Sequence, residues 1–183
     1  MAKLVANVYG DALFSIGKER NMLDTLYEEV LAVKTALTET PQLMNVLVSP
    51  DVDSTSKQDL LTRTFQGRVS NEMSGFLSIV LKKSRQEYLD DMFDYFISIY
   101  KEEKKIGIVS VTTPFAISEL KKLEIHKKLL QTTGYRSLEI TYDIDESLIG
   151  GMVIRIKDRV VDSSIKTRLK QLEKSLRGLQ IGE

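Results

Sequence analysis

The sequence predicts a protein in two parts: a six-helix bundle over residues 1–105, then a smaller α/β domain over 106–183. Three observations carry this. Apolar residues recur at helical spacing up to about residue 105, with no convincing strand. The charge run Lys101-Glu102-Glu103-Lys104-Lys105, followed by Ile106-Gly107, marks a change of texture. Beyond it come β-branched runs, and Leu138, Ile140, Tyr142 and Ile144 alternate with polar residues, as on a half-buried strand.

The first helix, about residues 3–19, carries Leu4, Val5, Val8, Tyr9, Ala12, Leu13 and Ile16. A second, about 22–38, carries Leu23, Leu26, Val30, Val33 and Leu37. Thr40-Pro41 reads as an N-cap with proline in the first turn, opening a short helix with Leu43, Met44 and Leu47 that stops before Ser49-Pro50. Ser54 or Ser56 is the expected cap of a fourth helix with Leu60, Leu61 and Phe65, closed by Gly67. Ser70 caps a fifth with Met73, Phe76, Leu77, Val80 and Leu81. The sixth, about 87–104, carries Tyr88, Leu89, Met92, Phe93, Phe96, Ile97 and Tyr100.

In the second part, residues 106–113 form a strand ended by Pro114. Ser118 begins a helix with Leu120, Leu123 and Leu130. Residues 138–145 and 152–156 are strands, and Lys157-Asp158-Arg159 turns the chain into Val160-Val161. Asp162 or Ser163 is the expected cap of a last helix with Ile165, Leu169, Leu172 and Leu176 on one stripe.

Composition excludes several chemistries. With no cysteine and one histidine, His126, there is no disulfide, zinc–thiolate site, thiol nucleophile or multi-histidine metal site. No apolar run is long enough to span a bilayer, and the N-terminus lacks a secretory core. No phosphate-binding glycine motif occurs. Gly150-Gly151 could offer N–H groups to an anion, but entry into a strand where no side chain fits is the better reading. Asp143, Asp145 and Glu146 lack calcium-loop spacing and read as a solvated turn, and His126 reads as a surface residue. No acid/base pair, cofactor or metal is expected.

Two features ask for partners. The apolar arc of the first helix spans roughly 180° and that of the fifth, including Ile79, roughly 200°, where one buried face needs little more than 100°. Either these helices are covered on several sides, or a groove between them receives a partner's amphipathic helix. Gly10 and Gly75 would permit close approach. The second feature is the tail: Arg155–Arg177 holds eight basic residues against Asp158, Asp162 and Glu173. That net charge of +5 suits a solvated face, an acidic protein partner, or a nucleic acid.

The segment 138–158, with Ile149-Gly150-Gly151-Met152, resembles the signature of the delta subunit of F-type ATP synthases, the family of the mitochondrial oligomycin-sensitivity-conferring protein. Asp158-Arg-Val-Val-Asp162-Ser-Ser-Ile-Lys-Thr-Arg168-Leu169 continues it, and Tyr9-Gly10-Asp11-Ala12-Leu13-Phe14 resembles its Tyr-Ala-x-Ala-Leu-Phe. Two departures stand out: Gly10 replaces alanine, and Lys157 stands where glycine or a small polar residue is expected.

The resemblance implies a non-catalytic stator subunit, present once per complex, at the cytoplasmic face of a bacterial membrane and held there only through the complex. It implies that the N-terminal bundle binds the N-terminal helix of an alpha subunit between the first and fifth helices, with Tyr9, Ala12, Leu13, Phe76, Leu77 and Val80 as groove residues. It implies that the C-terminal domain binds the b subunits of the peripheral stalk. Gly150, Gly151, Asp158, Asp162 and Arg168 are its signature residues there. The alternative is a nucleic-acid-binding adaptor using the basic last helix; under the leading reading no nucleic acid is bound. Division at residue 105 leaves 13 basic against 16 acidic residues before it and 13 against 10 after it, so a formal net charge of zero conceals two parts of opposite sign.

Overall fold

The computed structural model describes residues 2–179, with side chains described through residue 172. Leu176 of the expected last stripe, and Glu173, Lys174 and Arg177 of the basic tail, therefore lie outside the described side chains. The chain divides into two units, Met1–Tyr100 and Lys101–Glu183. The first is helical and the second a small α/β unit.

The helices are α1 (Ala2–Glu19), α2 (Leu23–Glu39), α3 (Pro41–Val48), α4 (Ser54–Phe65), α5 (Asn71–Lys82) and α6 (Leu89–Glu103). Leu26, Val30 and Val33 of α2, Leu47 of α3, Met73 and Val80 of α5, and Met92, Phe93 and Phe96 of α6 are fully buried and form the core of the first unit. Asn21, at φ +53°, reverses the chain between α1 and α2, a conformation asparagine tolerates better than most residues. Ser70 caps α5 as expected, its hydroxyl oxygen accepting the Met73 N–H at 3.2 Å. Glu29 of α2 clamps that cap, accepting the Ser70 N–H at 2.7 Å and its O–H at 2.8 Å.

Three helix starts differ from expectation. Asp53, not Ser54 or Ser56, caps α4, its carboxylate accepting the Ser56 N–H at 3.0 Å; the anion is the better acceptor at a helix N-terminus. Thr40 stands at the α3 N-cap but makes no side-chain cap bond, so Pro41 alone marks that start. The sixth helix is preceded by a 3-10 turn, Gln86–Tyr88, and becomes regular at Leu89.

The second unit holds β1 (Ile106–Thr113), α7 (Glu119–Thr132), β2 (Ser137–Ile144), β3 (Val153–Ile156), β4 (Arg159–Asp162) and α8 (Ile165–Leu179). The sheet order is β2-β1-β3-β4. β1 and β2 run parallel, Ile106 opposite Ser137, with α7 as the crossover that parallel pairing requires. β3 runs antiparallel to β1 and to β4. Val109 and Val111 of β1 pack with Ile125 and Leu129 of α7, joined by Leu138, Ile140, Tyr142 and Ile154.

Here too the packing selects other residues than the pattern. On α7, Ile125 and Leu129 are buried while Leu120 and Leu123 are exposed. Ile144 ends β2 in the open. Ser164, not Asp162 or Ser163, caps α8: its hydroxyl accepts the Thr167 N–H at 3.2 Å. Asp162 braces that cap, accepting the Ser164 N–H at 2.8 Å and the Thr167 O–H at 2.7 Å.

Candidate partner-binding surfaces

α1 and α5 meet at Tyr9 and Phe76, whose rings stand edge to face with centroids 6.4 Å apart. Of the residues expected to line a groove here, Leu13, Phe76, Leu77 and Val80 are buried in the core of the first unit. Their side chains pack in the core and leave little surface exposed. Tyr9 is half-buried and Ala12 exposed.

The surface that remains open lies at the edge of each apolar arc. α1 buries Ala6, Gly10, Leu13 and Gly17, so small residues set its close approach to the core. Leu4 and Val8 lie on the far side, 70% and 59% exposed, with Ala12 continuing their row at i, i+4 spacing. On α5, Ile79 is 54% exposed and sits about 60° round the helix from Phe76. Gly75 precedes it by one turn and faces open space. Gly10 plays a different part from the expected one: it is buried against Tyr95 of α6.

In the second unit three of the signature residues, Gly150, Gly151 and Asp162, come together where β3 and α8 begin. A Cβ on Gly151, at φ +79°, would stand 2.3 Å from the Ser163 carbonyl oxygen. One on Gly150 would stand 2.5 Å from Ile165 Cδ1. The Gly150 carbonyl accepts the Ile165 N–H at 3.0 Å, so the glycine pair seats the first turn of α8. The bonds from Thr167 and Ser164 hold the Asp162 carboxyl below the usual aspartate range. Asp158 sits in the exposed β3–β4 turn, and Arg168 is exposed on α8. Asp145, from the acidic trio, accepts the Ser147 N–H at 3.0 Å, and the bonds from Ser147 lower its pKa.

One face of this sheet is incompletely covered. A groove of about 1180 Å³ has Leu129, Met152, Ile154 and Ile156 along it, with Lys105, Lys128, Lys157 and Arg159 at its rim and Glu102 and Asp158 among them. Among the described residues, no group of three or more histidine or carboxylate side chains is placed to hold a metal ion. Nor, among them, is any helix long and apolar enough to cross a membrane.

The family model for the ATP synthase delta (OSCP) subunit matches residues 5–176. The chain belongs to the ATP synthase delta (OSCP) family. It is 43% identical to an ATP synthase subunit delta of Lachnoclostridium phytofermentans, over the whole of both chains. It is 36% identical to one of Desulforamulus reducens, covering 94% of each. The fold matches a chain in a cryo-EM structure of the Toxoplasma gondii mitochondrial ATP synthase hexamer with a TM-score of 0.71, covering 93% of this chain and 96% of that one, at 23% identity. As a delta-type chain it is a non-catalytic stator subunit, a peripheral component of the F-type complex serving ATP synthesis and ion transport. The nucleic-acid adaptor reading gains no support from these relatives.

Proposed function

We propose that the chain links the catalytic head to the peripheral stalk at two separate surfaces. The first unit, acting as a six-helix bundle over residues 1–105, receives the N-terminal helix of an alpha subunit along α1 and α5. The single observation that carries this reading is the exposed apolar row of Leu4 and Val8, on the helix that meets α5, with Ile79 exposed on α5 itself. Tyr9 and Ala12 border the row, while Leu13, Phe76, Leu77 and Val80 support it from beneath. The second unit, residues 106–183, receives the b subunits. Gly150, Gly151 and Asp162 serve there as architecture that seats α8, while Asp158 in the β3–β4 turn and Arg168 on α8 are exposed.

A stator resists torque, so it needs two durable contacts and no active site. Apolar helix-in-groove burial suits the head, contributing about 25 cal/mol per Å² before the cost of association. One copy per complex, at the cytoplasmic face, completes the reading.

The test is calorimetric titration of the full chain with a peptide of the alpha-subunit N-terminus. Ile79→Asp and Val8→Asp should abolish binding while leaving the melting curve unchanged, because both side chains are exposed. Intact binding by both variants would overturn the groove assignment.

A further inference from the structure

On α8, Ile165, Leu169 and Leu172 follow one another at spacings of four and three, and the sequence continues the rhythm through Leu176 and Leu179. That period is the narrow a/d seam of paired helices, not the broader stripe of a helix lying on a globular core. The side chains agree: Ile165, Leu169 and Leu172 are 43%, 54% and 58% exposed. A helix of 15 residues is marginal in water unless its apolar face is packed. The first turn is nonetheless held firmly, by the buried Ser164 cap, the Asp162 brace and the Gly150 carbonyl. The seam thus begins at a fixed point on the second unit and presents its apolar edge outward.

The flanks of the seam select its partner. In that register Lys166 follows the Ile165 position and Arg168 precedes the Leu169 position, the e and g places where interhelical charge pairs form. No acidic residue occurs between Ser163 and Leu172. We propose that α8 pairs lengthwise with a partner α-helix that carries its own a/d seam flanked by acidic side chains. A second copy of this chain does not fit, because α8 holds five basic residues and one acidic residue, and two such helices repel. This rests on the reading that the second unit receives the stalk, and it specifies the element and the chemistry used.

The test uses the full chain and two synthetic heptad-repeat peptides with leucine at a and d. One carries glutamate at e and g, the other lysine. The acidic peptide should bind at least about tenfold more tightly than the basic one, with affinity falling as salt rises. Leu169→Asp and Leu172→Asp should each remove binding without lowering the melting temperature, since both positions are exposed. Equal affinity for the two peptides, binding that survives both substitutions, or no binding of the acidic peptide overturns the proposal. So does self-association through α8, read by sedimentation as a dimer of the unmodified chain that Leu172→Asp dissolves. Binding to isolated catalytic head is measured alongside. Its absence in the unmodified chain defeats the stator reading, whereas head binding without peptide discrimination defeats the α8 seam alone.

Discussion

The ring of Tyr95 on α6 occupies the space that a side chain at Gly10 of α1 would need: a Cβ there would stand 2.5 Å from Tyr95 Cδ1. The Tyr95 hydroxyl then donates to Asp11 at 3.0 Å, fixing the ring against the helix, and this bond raises the phenol pKa. A departure from the alanine of the family pattern is thus matched by an aromatic residue 85 positions later in the chain.

Substitution at Gly10 should therefore change sign with its neighbour. Gly10→Ala in the unmodified chain should destabilise it by about 1–2 kcal/mol, as for overpacking, despite better helix propensity. With Tyr95→Ala already present, the same change should stabilise by about 0.5–1 kcal/mol. Urea denaturation of the four proteins of the cycle measures the coupling.

Tyr100 and Asp24 give a pH signature. Burial and the 2.9 Å bond from the Tyr100 hydroxyl to Asp24 push the phenol up to about 12. A raised folded-state pKa contributes stability that is complete below the ordinary tyrosine value of 10.0 and is lost as pH rises towards about 12. Absorbance at alkaline pH should show Tyr100 titrating last, and Asp24→Asn should bring it back down.

The two turns of the second unit should respond oppositely to glycine exchange. Lys157 is held at φ +50°, so Lys157→Gly should relieve about 1 kcal/mol of backbone cost. Loss of the exposed 3.0 Å pair with Glu102 offsets little of this. Gly151→Ala meets both positive φ and the Ser163 carbonyl, and should cost more than about 2 kcal/mol. Thermal melts of both variants check the pair.

The start of α8 should loosen in acid. Asp162 has a folded-state pKa below its ordinary value, so its contribution is present above that value and is lost as pH falls through the depressed one. Ser164→Ala should remove about 1 kcal/mol from the helix N-terminus at neutral pH. Amide exchange at Ile165–Leu169 would report both effects.

The helices and the strand segments of the second unit were legible because apolar period and chain punctuation are local signals; the pairing and direction of the strands were not, because they depend on contacts distant in the chain. What was not legible depends on choice among competing local groups. Asp53 outcompetes Ser54 and Ser56 as a cap because an anion binds helix N–H groups better, a preference spacing does not reveal. On α1 the wide apolar arc fits either a helix covered on several sides or a partner groove, and Tyr9, Ala12 and Leu13 came from the family resemblance alone. The row Ala6, Gly10, Leu13 and Gly17, three small residues and a leucine at helical spacing, was the available sign that this side faces the core. That leaves Leu4 and Val8 outward. On α7, Leu120, Leu123 and Leu130 fall on one side of the helix and Ile125 and Leu129 on the other, and only the packing on Val109 and Val111 decides which side is buried. The expectation of glycine or a small residue at position 157 did carry physical content, since the turn holds a positive φ there.

The most direct test is functional reconstitution. Membranes stripped of this subunit and of the catalytic head are recombined with head and either the unmodified chain or Ile79→Asp, and ATP-driven ion transport is measured beside ATP hydrolysis. The account predicts that only the unmodified chain restores transport, while hydrolysis by free head is the same with either or neither. Full transport with Ile79→Asp, or a hydrolysis rate of free head that depends on this chain, would contradict it.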